Sequence, residues 1–69
     1  MIRYYEKIKL YGAGHPQIPH KYFGVEAENE EGIEEFFNDH DTTHARFQEI
    51  EKEEIPEDFF ETLPVYRIY

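Results

Sequence analysis

The chain has no cysteine, no serine and no tryptophan among its 69 residues. Without thiols there are no disulfides and no thiolate metal sites, and without Ser or Cys there is no nucleophile of either kind. Cations are scarce too. Seven Lys and Arg against sixteen Asp and Glu leave a formal net charge of −9. Such a charge repels nucleic acid and anionic membranes and favours basic partners, so no direct binding to either is expected. No apolar run approaches the roughly 20 residues needed to cross a bilayer. The opening Met1–Lys7 has no apolar stretch after its positive charge, so no secretory signal is read there and a cytoplasmic location is expected. At this length a chain buries only about 60% of the surface its unfolded form exposes, which fits one small domain and argues against a deep catalytic cleft.

What the chain does have is rings. A mean hydropathy of −0.84 and 33% charged residues would suit a disordered chain. Six Phe and six Tyr, spread from Tyr4 to Tyr69, argue the other way. Each can bury roughly 150–250 Å², so a folded domain with an aromatic core is expected.

Residues 2–11 alternate, with Ile2, Tyr4, Ile8 and Leu10 on one side and Arg3, Tyr5, Lys7, Lys9 and Tyr11 on the other. Period two predicts a half-buried strand whose outward face is the stripe of cations and tyrosines. Glu6 falls on the apolar side, which predicts a bend or a nearby edge. Gly12–His20, with two Gly and two Pro, is a loop. Tyr22–Glu28 is extended again, with Phe23, Val25 and Ala27 on one face, and should pair antiparallel with the first strand. Asn29 then reads as a helix N-cap followed by Glu30 and Glu31 at the positive end of the dipole. Ile33, Phe36, Phe37 and His40 form one helical stripe, and Asn38 to Thr43 ends the helix. Gly32 is expected to weaken the first turn by up to about 1 kcal/mol relative to Ala.

His44–Glu54 suits a helix by propensity, but as a helix it would bury only a narrow stripe. It is read as a third strand after a βαβ crossover, because two strands and one helix hide too few rings. Pro56 opens a short helical turn whose Phe59 and Phe60, with Leu63, should cap one end of the core. Val65–Tyr69 is a last short edge strand. The expected fold is a small α+β domain of ββαβ(β) type: a three- to four-stranded, mainly antiparallel sheet, one helix on one face, and a C-terminal helical turn.

Charge is segregated along the chain, with net +3 over residues 1–25 and net −12 over residues 26–69. Part of the acidity serves the helix N-terminus, and a solvated acidic face explains much of the rest. Glu30/Glu34 and Glu31/Glu35, however, are like-charge i, i+4 pairs that each oppose the helix by roughly 0.2–0.5 kcal/mol. Glu49, Glu51 and Glu53 would line one face of the third strand. These seven, Glu30, Glu31, Glu34, Glu35, Glu49, Glu51 and Glu53, are the candidate contacts for a larger protein with a basic surface. The alternative interface is Arg3, Tyr5, Lys7, Lys9 and Tyr11, acting in strand pairing or a homodimer.

A third reading is a metal-binding regulator. His40 and His44 share an i, i+4 spacing beside Asp39, and His15 and His20 sit in the loop. A helix end falls between the first two, no HExxH pattern occurs, and His40 on the apolar stripe reads as a hydrogen-bonded, half-buried side chain, so no metal or other cofactor is called for. Carboxylate pairs such as Glu34/Glu35 and Glu53/Glu54 are too numerous to single out an acid–base couple. Gly12-Ala13-Gly14 lacks the third glycine of a phosphate loop and runs into a proline.

The passage Val25-Glu26-Ala27-Glu28-Asn29-Glu30-Glu31, followed by Ile33 and Phe36-Phe37, resembles small ββαβ proteins of phages and mobile elements. Size, acidity and the missing nucleophile are similar to those of phage-encoded inhibitors of host defence, including anti-CRISPR proteins and DNA mimics. The resemblance covers about half the chain, rests on a generic motif and carries over no functional residue. It implies a non-enzymatic inhibitor working in a host cytoplasm.

Overall fold

The computed structural model describes residues 1–10, 18–40 and 45–68. Four strands are present: β1 (Ile2–Leu10), β2 (Tyr22–Ala27), β3 (Ala45–Ile50) and β4 (Val65–Ile68), with one helix, α1 (Glu30–Asp39). The sheet order is β3-β1-β2-β4. β1 pairs antiparallel with both β2 and β3, while β4 runs parallel to β2. The domain is therefore α+β with a mixed sheet, the helix on one face and short 3-10 turns at Lys52–Glu54 and Glu57–Phe59.

β2 lies at the centre of the packing, buried at every position but Glu26. Phe23 and Val25 are fully buried and Ala27 nearly so. α1 starts where expected, with Asn29 Oδ1 accepting the Gly32 N–H at 3.1 Å. Its stripe of Ile33 and Phe36 is buried against β2, and Phe37 packs alongside. Phe23 is the hub of the core. Its ring lies 5.4–6.4 Å, centroid to centroid, from those of Tyr5, Phe36, Phe37, Phe47 and Tyr66.

The facing expected for β1 is inverted. Tyr5 is 8% exposed and stacks on Phe23, whereas Ile2, Ile8 and Leu10 are 40–57% exposed. Two causes combine. β1 has neighbours at both edges, so its facing is set by the side that α1 covers, and Tyr5, opposite Phe23 in the β1–β2 register, falls on that side. A bulge between Lys7 and Lys9 then shifts the register, so residues on either side of it no longer share one alternation. The bend anticipated at Glu6 does not fall there: Glu6 keeps regular register with Tyr22 and Gln48, and the irregularity comes at Ile8. Glu6 itself accepts a hydrogen bond from the Tyr22 hydroxyl at 3.2 Å, on the side away from the helix.

β3 forms but stops at Ile50, four residues short of the expected end. The chain turns into the first 3-10 turn, where the Glu51 N–H donates to the Glu54 carboxylate at 2.7 Å. Glu49, Glu51 and Glu53 therefore do not line one strand face. Residues 51–64 then cross from one sheet edge to the other, and the Phe59 ring meets Tyr22 edge-on at 4.8 Å on the face opposite α1. Phe59 and Phe60 stay 38% and 39% exposed instead of capping the core. Pro56 precedes the second 3-10 turn as its N-cap rather than opening it. The expectations for Tyr11, Gly12–Gln17, Asp41–His44 and Tyr69 lie outside the described residues.

Candidate functional site

Glu31, Glu34 and Glu35 project from α1 and are exposed. Among the described residues no cation pairs with any of the three. Glu30 and Glu49 behave differently, because Arg3 reaches both. Its guanidinium bonds Glu30 on the helix and lies 3.4 Å from Glu49 on β3. These two carboxylates come from separate elements and are brought together by one cation. They strengthen the hold of Arg3 on its proton, the Glu30 hydrogen bond most of all. Both stay more than half exposed, so the clamp orders them without hiding them, and its net contribution to stability is small. Arg67 pairs with Glu26 at 3.6 Å on the other face of the sheet.

The seven candidate carboxylates thus divide. Glu30, Glu31, Glu34 and Glu35, with Glu49 joined to them through Arg3, share the helix side. Glu51 and Glu53 belong to the connection after β3. On the alternative interface, Tyr5 is a core residue and offers no contact surface. Burial pushes its phenol above the ordinary value, Glu49 adds to this, and Arg3 opposes it. Lys7 spends its ammonium on the Pro19 carbonyl at 3.1 Å, and Tyr11 is outside the described residues.

His40 caps the helix. Its Nδ1 lies 2.8 Å from the Phe36 carbonyl, and since a carbonyl only accepts, Nδ1 carries the proton. The ring also packs 4.2 Å from Phe36 and 5.9 Å from Tyr66. Among the described residues no three His, Asp or Glu side chains are grouped to hold a metal ion. His15 and His44 lie outside them.

Two shallow grooves flank β4. One, of about 240 Å³, runs between the first turns of α1 and the end of β4, lined by Glu28, Glu31 and Glu35 over Gly32 and Ile68. The other, of about 180 Å³, lies at the start of β4, lined by His20, Lys21, Tyr22, Phe59, Leu63 and Pro64. Lys21 Nζ stands 5.6 Å from the Tyr22 ring centre there, and no carboxylate lines it. Neither groove was visible in the sequence. Each depends on β4 lying beside β2, a pairing that no local pattern announces. No family model, no curated protein and no solved structure matches the chain. No helix among the described residues is long and apolar enough to cross a membrane.

Proposed function

We propose that this chain is a non-enzymatic binding protein that docks the acidic outer face of α1 onto a basic, nucleic-acid-binding surface of a larger protein and thereby inhibits or regulates it. The observation that carries the reading is the row Glu31, Glu34 and Glu35: exposed on one short helix, without a cation among the described residues, and flanked by Glu30 and Glu49 on the Arg3 clamp. Two like-charge i, i+4 pairs work against the helix that displays them, so helix stability does not explain Glu34 and Glu35, which lie beyond the first turn that the dipole favours. A dense array of anionic oxygens is what a phosphate-binding groove is built to receive. The finer assignment, a phage-encoded inhibitor of host defence acting in the host cytoplasm, is supported only by size, acidity and the missing Ser and Cys.

The test is to immobilise the chain, pass a host lysate over it and elute with a salt gradient, in parallel with the variant Glu31→Lys/Glu34→Lys/Glu35→Lys. A nucleic-acid-binding protein should be retained by the native chain, released by rising salt and displaced by duplex DNA, and the variant should lose it. Reversing these charges slows association most at low ionic strength. Arg3→Met provides the opposite arm: freeing Glu30 and Glu49 should speed association. Retention that ignores both salt and charge reversal rejects the reading.

A further inference from the structure

From the edge of β4, beside which no further strand lies among the described residues, we infer a second contact: an extended basic segment of the partner adds to the sheet as a fifth strand, alongside Val65–Ile68. β4 is an edge strand in the order β3-β1-β2-β4. Gly24 N–H donates to the Pro64 carbonyl at 2.9 Å, and Gly24 is in register with Val65. In a parallel pair both backbone groups of one residue point to the same side and those of the next point away. Tyr66 and Ile68 therefore bond inward to β2, and the N–H and C=O of Val65 and Arg67 face outward. Among the described residues nothing pairs with those outward groups.

The two edges of the sheet are guarded differently. β3 carries two charged side chains, Arg46 and Glu49, of the kind that discourage strand pairing. β4 reads Val-Tyr-Arg-Ile, and its one charge is engaged by Glu26. The occupant follows from charge. The groove at the end of β4 presents Glu28, Glu31 and Glu35, so a second copy of this chain, bearing the same carboxylates, would be repelled, while a Lys or Arg would be drawn in. The groove at the start of β4 has a floor of Tyr22, Phe59, Leu63 and Pro64. It is smaller than the roughly 300 Å³ at which drug-sized sites begin, and it fits a single apolar side chain.

The acidic groove opens on the helix face of the sheet and the aromatic one on the face that Tyr22 and Phe59 occupy. Side chains of an added strand alternate between faces. The basic and apolar residues of the segment must then stand an odd number of positions apart. This rests on the reading of a basic partner given above, and it adds the main-chain recognition mode and the spacing.

The test uses capped octapeptides of Thr and Val carrying one Lys and one Phe three or five positions apart, in both orders, against the isotope-labelled chain. In the free chain the amides of Tyr66 and Ile68 should be protected from exchange and those of Val65 and Arg67 not. Saturation with the better peptide should raise protection at Val65 and Arg67 at least about tenfold, and Lys-to-Glu or four-position spacing should weaken binding. Glu28→Gln/Glu31→Gln should abolish the preference for Lys over Glu while leaving the protection at saturation intact. Binding without gained protection at Val65 and Arg67 overturns strand addition yet leaves the acidic-helix reading standing. Absence of saturable binding overturns it as well. Protection that grows with protein concentration alone assigns the edge to a second copy and also overturns it.

Discussion

A methyl group added at Gly32 would sit 2.7 Å from the Ala27 Cβ. In isolation, Gly32→Ala would stabilise the helix by up to about 1 kcal/mol. Here α1 rests on β2 through that missing Cβ, and overpacking at such a contact costs about 1–3 kcal/mol. The variant should therefore melt below the native chain, and Ala27→Gly should partly rescue it in the double variant because the two sites touch. Phe23 offers a larger effect. Phe23→Ala removes the ring that five others surround, at about 3–5 kcal/mol. With roughly 0.05–0.15 kcal/mol of stability per residue to draw on, that is a large share of the total, and the denaturant midpoint followed by circular dichroism should fall steeply. The phenols respond to base. Tyr5, Tyr22 and Tyr66 are all held above the ordinary value of 10.0, in each case chiefly because burial penalises the phenolate. Between that value and the folded ones the unfolded chain has released protons that the native chain retains, so stability present below pH 10 is lost as pH rises through the folded values. Denaturant midpoints should fall steadily above about pH 10, and phenolate absorbance should appear later in the native chain than in the unfolded one.

At the scale of elements, α1 is the piece that local chemistry specifies most fully. Asn29→Ala removes the bond to Gly32 and should cost about 1 kcal/mol, a fall of roughly 4–8 °C in Tm for a domain of this size. The same residues made the helix and β2 legible from sequence: a capping side chain, two Glu in the first turn, a 3.6-residue stripe, and Phe23, Val25 and Ala27 at period two. β1 was legible as a strand but not in its facing, since apolar or aromatic residues fall on both of its faces and the bulge at Lys7/Lys9 resets the alternation. β3 was legible as an element but not in its end, because Glu51–Glu54 carries no apolar residue whose period would mark where the strand stops. The candidate site divides in the same way. Glu31, Glu34 and Glu35 could be read from helical spacing alone. The Arg3 clamp could not, because it joins the first strand to the helix and to β3 across the folded sheet.

For the whole molecule, the decisive quantity is the net charge of −9 and where it has been placed. A field of one sign opposes compaction, and salt screens it over roughly 10 Å at 0.1 M. The helix surface concentrates that opposition in the pairs Glu30/Glu34 and Glu31/Glu35. Glu34→Lys/Glu35→Lys converts both into Glu-before-Lys pairs, the favourable order on a helix, relieving about 0.2–0.5 kcal/mol per pair and adding a similar gain. The net charge falls to −5 with no buried group touched. The double variant should therefore melt above the native chain in dilute buffer, and the gap should narrow as salt is added. If the acidic face served folding or solubility only, such a variant would be better on every count, and a thermal melt together with a partner-capture assay would show no loss. If the face is a docking surface, the more stable variant should be the one that fails to bind, since the repulsion it relieves is the field that draws in a basic partner.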